Sequence, residues 1–279
     1  MTQIKVAGLA IGKEGIVRGE VALHSPDDSC ASGHHMASLH RPLVVARLHA
    51  ADPCASCGAR PYSVCSAIED RDLERLASVA VVAHAEPGQT FVTEGDSAEN
   101  FFNITSGTAR LFKSLSDGRR QITGFAGRGH FLGLAVSDNY AFSAEAIEPV
   151  QFCRFSRRRL RLLLDDFPAL EKRLLEVASN ELVAAQEQML LLGRKTARER
   201  VASFLLARRL ENAACNGGAP NLHLPMTRSD IADYLGLTIE TVSRTLTRLK
   251  LDELIGIPHT SEIVIRDLHG LTVQAGGLD

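Results

Sequence analysis

The stretch LPMTRSDIADYLGLTIETVSRTLTRLK, residues 224–250, contains the start and stop signals of two short helices. Thr227 is suited to cap the first helix, and Asp230, three residues later, completes a capping box. Gly236 is suited to end that helix, and Thr238 is suited to cap a second one that runs to the end of the stretch. Two short helices joined by a tight glycine turn are typical of a helix-turn-helix.

The second of these helices is predicted to have one apolar face and one polar face. Apolar residues at helical spacing predict a buried stripe made of Ile239, Val242, Leu246 and Leu249. The opposite face carries residue types that contact base edges in DNA, namely Glu240, Ser243, Arg244 and Thr247. We add Thr238 and Arg228, which lie near the two helix N-termini, as candidate DNA contacts. An ordinary solvated helix face is the alternative interpretation.

The segment IGIPHTSEIVIRDL, residues 255–268, follows the second helix and predicts a β-hairpin. In this hairpin Ile263 and Ile265 are expected to point inward. A hairpin at this place makes the winged variant of the motif. We therefore assign residues 198–279 to a winged helix-turn-helix DNA-binding domain.

The composition indicates a chain with cores of its own. With 279 residues, of which 45% are hydrophobic, it can fold without disulfides. A net charge of −2 excludes a uniformly basic nucleic-acid coat but leaves room for a local basic face. The sequence has no membrane-spanning apolar run and no recognisable signal peptide, so we expect a cytoplasmic protein with no membrane partner. Residues 1–50 are predicted to be a poorly ordered extension, because their Gly- and Ser-rich start has no sustained periodicity.

Residues 68–167 consist of short apolar runs separated by glycines and other turn residues. Asp117 and Gly118 form a hairpin signal between two of these runs. This pattern predicts a compact antiparallel β-roll or barrel. A small-molecule sensor and a scaffold without a ligand are both compatible with it.

Helical periodicity takes over in residues 168–197. A seam with alternating spacings of three and four residues is formed by Leu175, Ala178, Leu182, Ala185, Met189 and Leu192. Such a seam is typical of a dimerisation helix, and packing against the chain's own β-roll is the alternative. Because alanines in the seam bury little apolar area, we expect a dimer built on this stripe alone to be weak.

The stretch DPCASCGARPYSVC, residues 52–65, gathers three of the chain's six cysteines, Cys54, Cys57 and Cys65. We assign residues 51–67 to a cysteine-bearing loop. In a compartment where thiols are kept reduced, such clustering indicates a metal site or redox chemistry.

Together these motifs resemble the CRP/FNR transcription regulators, and among them the FNR-like oxygen sensors of the FnrN type. The resemblance runs from about residue 50 to 268 and includes the segment SDGRRQITGF and a single helix expected over MLLLGRKTARERVASFLLARR. It implies an α+β fold with an N-terminal antiparallel β-roll, similar to cyclic-nucleotide-binding domains, a long dimerisation helix and a C-terminal winged helix-turn-helix. The implied partners are a second copy of the chain, a palindromic double-stranded DNA site and RNA polymerase.

The resemblance also implies roles for individual residues. Glu240, Ser243 and Arg244 match the E-x-x-S-R pattern with which FNR-type proteins contact TTGAT-type half-sites. The hairpin residues Asp117, Gly118 and Arg119 are candidates for a polymerase contact, and a solvated hairpin tip is the alternative.

A 4Fe-4S cluster is the cofactor that the resemblance implies, with Cys54, Cys57, Cys65 and Cys153 as its ligands. The C-x2-C-x7-C spacing departs from the C-x2-C-x5-C of the enterobacterial members. Strand alternation places Cys153 on the face opposite to its neighbour Phe152, so it can face the loop, and a small core residue is the alternative. Cys30 and Cys215 have no cysteine nearby in sequence and are expected to be spare.

A cyclic nucleotide is not expected as the effector. In CRP-type sensors a Gly-Glu pair and a later arginine hold the ribose and phosphate, whereas here Leu134 follows Gly133 and the segment NYAFSAEA has no arginine.

Two rival interpretations of the cysteines stay open. Zinc is suited to four thiolates, and His49 lies close in sequence to Cys54. A redox enzyme could use Cys54 and Cys57 as a dithiol, although that motif normally accompanies a βαβ pattern. Nothing else in the sequence indicates catalysis, so we expect that the protein is not an enzyme.

Overall fold

A computed structural model describes residues 44–46, 54–134, 138–216 and 221–276, with the backbone alone for 44–46 and 213–216. All of them belong to one compact unit that begins at Arg41. Most of the predicted N-terminal extension lies outside the described residues. Its part at Val44–Ala46 is a strand that pairs with Val82–His84, so the prediction of poor order is wrong there. Valine has a high β-strand propensity, which accounts for a strand at Val44–Ala46 where poor order is predicted.

The chain has an α+β fold, as the sequence predicts. The strands are β1 (Val44–Ala46), β2 (Ala80–Ala85), β3 (Thr90–Val92), β4 (Asn100–Ser106), β5 (Ala109–Ser114), β6 (Arg120–Ala126), β7 (Phe131–Leu132), β8 (Ser143–Ala146), β9 (Val150–Ser156), β10 (Asn221–His223), β11 (Ile255–His259) and β12 (Glu262–Ile265). The helices are α1 (Leu73–Val79), α2 (Arg157–Leu164), α3 (Pro168–Arg194), α4 (Ala197–Asn216), α5 (Arg228–Leu235), α6 (Ile239–Leu251) and α7 (Leu268–Gln274). Among the described residues, no helix is both long and apolar enough to cross a bilayer.

The N-terminal half is an antiparallel β-roll, which confirms the prediction for this region. Its strands form a five-stranded sheet, β1-β2-β9-β4-β7, and a four-stranded sheet, β3-β8-β5-β6. The core between the sheets is filled by aromatic rings, with Phe91 stacked on Phe152 at 4.7 Å and Phe102 set edge-on to Phe152 at 5.5 Å. Gly118 has φ +85° in the β5–β6 hairpin, a conformation that favours glycine, so the predicted hairpin is also confirmed.

The outer face of the five-stranded sheet is covered by helices and by the cysteine-bearing segment. That segment forms two 3-10 turns, Arg60–Tyr62 and Val64–Ala67, where the sequence predicts a loop. A separate apolar cluster joins it to α1, α2 and the start of α3. Its buried members are Val64, Cys65, Ile68, Leu73, Leu76, Phe131, Phe155, Leu160, Leu163, Leu170 and Leu174.

The helix expected over the segment MLLLGRKTARERVASFLLARR is two helices, so that expectation is wrong. α3 ends at Arg194, and Lys195 is extended with ψ 144°. Thr196 then starts α4, because its hydroxyl accepts a hydrogen bond from the Glu199 backbone N–H at 3.4 Å and its own backbone N–H donates to the Glu199 carboxylate at 2.6 Å. The reciprocal cap favours a new helix over continuation of the old one.

The C-terminal part is the predicted winged helix-turn-helix. Thr227 and Asp230 form the capping box, and Gly236 is left-handed with φ 60° and ψ 44°. Thr238 caps α6 by accepting a hydrogen bond from the Thr241 backbone N–H at 3.2 Å. In the wing Ile263 is buried as predicted. The sequence reasoning missed β10, which pairs with β12, and the last helix α7.

One residue of the predicted stripe on α6 is not buried. Val242, Leu246 and Leu249 belong to the core, whereas 46% of the Ile239 surface is exposed. Ile239 is the first residue of the helix and therefore lies at the end of the stripe.

The roll and the DNA-binding region share one hydrophobic core. Phe125 of β6 contacts Phe204 of α4 and Tyr234 of α5, with ring centroids 6.2 and 5.4 Å apart. Beside these rings, Arg110 of β5 donates to Asp230 at 2.6 Å and also pairs with Glu145. Asp230 is 1% exposed, so the residue that completes the cap of α5 also binds the roll.

Asp230→Ala is expected to lower the free energy of unfolding by about 2–4 kcal/mol, because it removes a helix cap and leaves Arg110 short of a buried partner. Burial raises the pKa of Asp230, but hydrogen bonds from Thr227 and the Arg110 charge outweigh this effect and lower it. The stabilisation is therefore present above the unfolded pKa of about 3.9 and is lost as pH falls through the folded pKa. Urea unfolding at neutral and acid pH measures both effects.

The control for this prediction is Asp233→Asn, at a partly exposed residue whose carboxylate lies 3.4 Å from Arg120. It should change the free energy of unfolding by less than about 1 kcal/mol. Equal losses for the two variants would contradict the role given to Asp230.

Candidate DNA-binding face, dimer seam and cysteine cavity

The predicted DNA-contacting side chains form one exposed face of α6. Glu240, Ser243, Arg244 and Thr247 are all exposed on the helix, and Thr238 is exposed at its N-cap. The face is turned away from the core that holds Val242 and Leu246. The structure therefore brings together every residue proposed on this helix.

The first two turns of α6 carry a carboxylate, Glu240, and a guanidinium, Arg244. Backbone hydrogen bonding at the helix N-terminus and the Thr238 side chain lower the pKa of Glu240, and Arg244 adds to this effect. The Glu240 side chain is therefore an acceptor at neutral pH, as a contact to cytosine N4 requires. Arg244 makes no salt bridge with another described residue, so its five donors are available to a guanine edge.

The other two candidates are partly engaged within the chain. The Thr247 hydroxyl donates to the Ser243 carbonyl at 3.0 Å. Arg228 is half-buried and donates to the Thr260 carbonyl in the wing at 3.4 Å. Arg228 thus connects the start of α5 to the wing.

The dimer seam is exposed along the middle of α3. Leu175, Leu182 and Met189 are among the most exposed large apolar side chains, and Ala178 and Ala185 are exposed between them. These residues do not pack on the chain's own β-roll, so that alternative is wrong for them.

The seam differs from the prediction at its C-terminal end. Leu192 is half-buried and packs against the core of the DNA-binding region, where it faces Gly236. The sequence reasoning missed Val183 and Leu190, which are exposed beside the seam. Successive side chains are about 100° apart around a helix, so a seam with spacings of three and four residues slowly winds around it. At Leu192 the seam has therefore left the exposed face of α3, whereas Val183 and Leu190 lie on that face.

α3 is also joined to the helix-turn-helix by a hydrogen bond. The Gln188 side chain donates to the Tyr234 carbonyl at 2.9 Å, one turn before Leu192. The end of α3 is therefore fixed to α5 and to the turn that leads into α6.

The four predicted ligand cysteines line one cavity of about 800 Å³ on the outer face of the five-stranded sheet. Cys54, Cys57 and Cys65 come from the cysteine-bearing segment, and Cys153 comes from β9. Phe152, next to Cys153, belongs to the roll core, so the strand alternation is as predicted. Cys30 and His49 lie outside the described residues, as does the side chain of Cys215.

Local hydrogen bonds hold the cysteine-bearing segment in its turns. The Cys57 backbone N–H donates to the Cys54 carbonyl at 3.3 Å, and the Cys65 N–H donates to the Ser63 hydroxyl at 3.2 Å. Arg60 donates to the Ile68 carbonyl at 2.7 Å and lines the cavity.

The cavity walls favour neutral thiols when no metal is bound. Burial raises the pKa of Cys65, and burial together with the other three cysteines raises the pKa of Cys153 to about 12. Ligation to a metal would release these protons. In the part of the chain that the structure describes, no group of three or more His, Cys, Asp or Glu side chains is arranged to hold a metal ion. Four sulfur donors around one cavity nevertheless have the chemistry that an iron–sulfur cluster requires.

The cavity is in contact with α3, the predicted dimerisation helix. Cys65 and Val64, in the second 3-10 turn, pack in the same apolar cluster as Leu170 and Leu174 of α3. A change at the cysteines can therefore reach α3 through direct contact rather than through chain connectivity alone.

The hairpin tip proposed to contact polymerase is exposed. Asp117 and Arg119 form a salt bridge of 2.8 Å across Gly118, and the hydrogen bonds from Arg119 lower the pKa of Asp117. The base of the same hairpin contacts α5, where Gln121 donates to the Asp233 carbonyl. The tip therefore stands clear of the DNA-binding region while its base is fixed to it.

Comparison with known proteins agrees with this architecture. Residues 199–273 match the family model described as Crp-like helix-turn-helix domain, and residues 82–167 match the model described as cyclic nucleotide-binding domain. The nitrogen fixation regulation protein FixK of Bradyrhizobium diazoefficiens is 43% identical over 206 residues, which cover 74% of this chain and 87% of that protein. The transcriptional activator protein FnrL of Cereibacter sphaeroides is 35% identical over 227 residues, or 80% of this chain and 92% of that protein.

Among solved structures, FixK2 from Bradyrhizobium japonicum matches with a TM-score of 0.68 and 36% identity. The match covers 72% of this chain and 100% of that one. With its β-roll, long helix and winged helix-turn-helix, the chain belongs to the CRP/FNR family of DNA-binding transcription regulators.

Proposed function

We propose that the protein is an oxygen-responsive transcription regulator that binds a palindromic DNA site as a homodimer while a 4Fe-4S cluster is intact. One observation carries this proposal. Cysteines from two distant segments line one cavity, and the turn that holds Cys65 packs directly on the dimer helix α3. It would act in the cytoplasm, as a regulator rather than an enzyme.

The DNA-binding half of the proposal rests on the exposed face of α6. A single recognition helix contacts one half-site, so a dimer with two-fold symmetry is suited to two half-sites about one helical turn apart. The E-x-x-S-R arrangement of Glu240, Ser243 and Arg244 supports an FNR-type half-site.

Arg244→Ala is expected to weaken binding to a cognate palindrome by about 1–3 kcal/mol per half-site, because a bidentate contact to guanine is lost. Discrimination at that guanine should relax at the same time. Fluorescence anisotropy on the cognate site and on sites with the guanine replaced measures both effects.

Arg248→Ala is the matched control, since Arg248 is an exposed arginine one turn further along the same helix. It should weaken binding equally on all sequences and lower the salt dependence. If Arg244→Ala behaves in the same uniform way, Arg244 is a phosphate contact.

The cluster would be held by Cys54, Cys57, Cys65 and Cys153 and would supply a centre that reacts with oxygen. The residues of the chain would carry the change at the cluster to the dimer interface. Ligation would fix the turn at Cys65 against β9, and this turn contacts α3 at Leu170 and Leu174. The exposed seam is marginal in apolar area, so a small change in how α3 is presented can decide whether two chains associate.

The roll is proposed to act without a cyclic nucleotide. Its interior is filled by the rings of Phe91, Phe102 and Phe152, and Glu145 of β8 is paired with Arg110. Leu134 stands where CRP-type sensors have an acidic residue. RNA polymerase is proposed as a partner of the exposed hairpin tip at Asp117–Arg119.

The cofactor assignment is tested by anaerobic reconstitution with iron and sulfide, followed by iron, sulfide and zinc analysis. We expect four iron and four sulfide ions per chain, the composition of the proposed cluster. A colourless protein that retains one zinc ion instead would contradict the cluster and favour the zinc alternative.

A further inference from the structure

Asn103 is a buried polar residue that the fold leaves unsatisfied beside the cysteines. It is 1% exposed, and its Oδ1 atom has no hydrogen-bond partner among the described residues. Leaving such an atom without a hydrogen bond is unfavourable, so most buried amides in native proteins are paired. The exception calls for a ligand or group that is present in the functional protein.

The register places this amide next to Cys153. Asn103 of β4 and Cys153 of β9 are directly opposite each other in the antiparallel pair, so their side chains lie on the same face of the sheet. The neighbours of Asn103 along β4, Phe102 and Ile104, belong to the roll core on the other face. Asn103 and Cys153 both line the cysteine cavity.

We propose that the Asn103 side-chain amide donates a hydrogen bond to a sulfur atom at the Cys153 corner of the cluster. This inference rests on the proposed function, because it assumes that a cluster occupies the cavity. A 180° rotation of the carboxamide exchanges its oxygen and nitrogen at almost no steric cost, so the same side chain can present Nδ2 to a ligating sulfur.

The proposed hydrogen bond would stabilise the cluster. Hydrogen bonds to cluster sulfurs are one of the protein's means of setting the reduction potential, and they favour the more reduced state. Asn103 would therefore make the cluster harder to oxidise and slower to decay in air. Through this hydrogen bond, Asn103 would set how fast the cluster responds to oxygen.

Asn103→Leu separates this role from a structural one. Leucine has nearly the same size and adds apolar surface next to Phe131, so the cluster-free protein should have an equal or higher urea midpoint. In the reconstituted protein, the cluster's visible absorption should decay about tenfold faster, both in air and with an anaerobic chelator. Opposite effects on the fold and on the cluster are not expected of a residue that supports the fold alone.

Two further variants sharpen the test. Asn103→Asp keeps the shape but replaces the N–H donor by a carboxyl that donates only when it is protonated. At pH values where this carboxyl is ionised, its cluster should also decay faster than that of the wild type. Thr105→Val is the matched control, because Thr105 lies two residues along the same strand and lines the cavity, and its hydroxyl already donates to the Gln151 carbonyl at 3.0 Å. Its cluster should decay within about twofold of the wild-type rate, well short of the effect of a lost ligand contact.

The outcomes distinguish this inference from the proposed function. If the wild type takes up a cluster and Asn103→Leu loses it at the wild-type rate, Asn103 serves a buried water or nothing, and the inference is overturned alone. A wild-type rate for Asn103→Asp with its carboxyl ionised overturns it as well, because no donor is then present at this position. If the wild type takes up no cluster, both the proposed function and this inference are wrong.

Discussion

Cys153→Ser is expected to abolish stable cluster binding and to weaken binding to a palindromic site by more than about a hundredfold, which corresponds to about 3 kcal/mol. Cys153 is the one predicted ligand outside the cysteine-bearing segment, so its sulfur is what joins that segment to β9. Without it, the turn at Cys65 would have no covalent tie to the sheet through the cluster. Serine is close to cysteine in size, so the roll should fold as before.

The measurement is anaerobic reconstitution of each variant, with iron and sulfide content, visible absorption and DNA affinity recorded on the same sample. Cys54→Ser, Cys57→Ser and Cys65→Ser should behave like Cys153→Ser. Cys30→Ser and Cys215→Ser are the controls and should retain the cluster. A full cluster in Cys153→Ser together with its loss in Cys30→Ser would show that the fourth ligand is assigned wrongly.

Leu182→Glu is expected to convert the DNA-binding dimer into a monomer at micromolar concentration. Leu182 is 62% exposed near the middle of the seam, where the two-fold symmetry of the proposed dimer would bring the equivalent parts of both helices close together. A carboxylate there would be buried without a partner and would face its own copy, which should raise the dimer dissociation constant more than about a hundredfold. DNA affinity should fall with it, because a monomer contacts a single half-site.

Leu162→Glu is the matched control for this substitution. Leu162 is 64% exposed, on α2 rather than on the seam, so a charge there should change neither the dimer nor DNA binding. Sedimentation velocity of both variants in the cluster-loaded state makes the comparison. If Leu182→Glu stays a dimer, the α3 seam is not the interface.

The parts of the fold that are set by local chemistry could be predicted from the sequence. The Thr227 and Asp230 capping box and the left-handed Gly236 depend on residues a few positions apart, and the β5–β6 hairpin depends on Gly118. The break between α3 and α4 was missed, although Thr196 and Glu199 have the same capping-box spacing. A run of good helix formers on both sides concealed it.

The parts that depend on long-range register could not be predicted. Nothing in the sequence shows that Arg110 reaches Asp230, 120 positions away, or that Asn103 lies opposite Cys153. Burial is likewise set by packing rather than by pattern. Leu192 fits the seam by spacing but packs on the DNA-binding region. The seam winds around α3, so that near the end of the helix it no longer lies on the exposed face.

In the proposed function, one helix, α3, links the cluster, the dimer and the DNA. The start of α3 packs on the turn of Cys65, its middle carries the exposed seam, and its end is bonded to Tyr234 through Gln188. A change at the cysteines can therefore alter both the association of two chains and the placement of α6. Because the seam contains no charge that would force cluster-free chains apart, some dimer can persist after the cluster is lost.

The central claim is tested most directly by sedimentation velocity of a labelled palindromic DNA with the reconstituted protein at micromolar concentration, before and after exposure of the same sample to air. Before air, the DNA should sediment with two protein chains. After air has bleached the cluster, the DNA should sediment free and the protein largely as a monomer. A dimer that persists but releases the DNA would place the switch in the orientation of α6. DNA that still sediments with two chains after the cluster is gone would contradict the oxygen-sensing function.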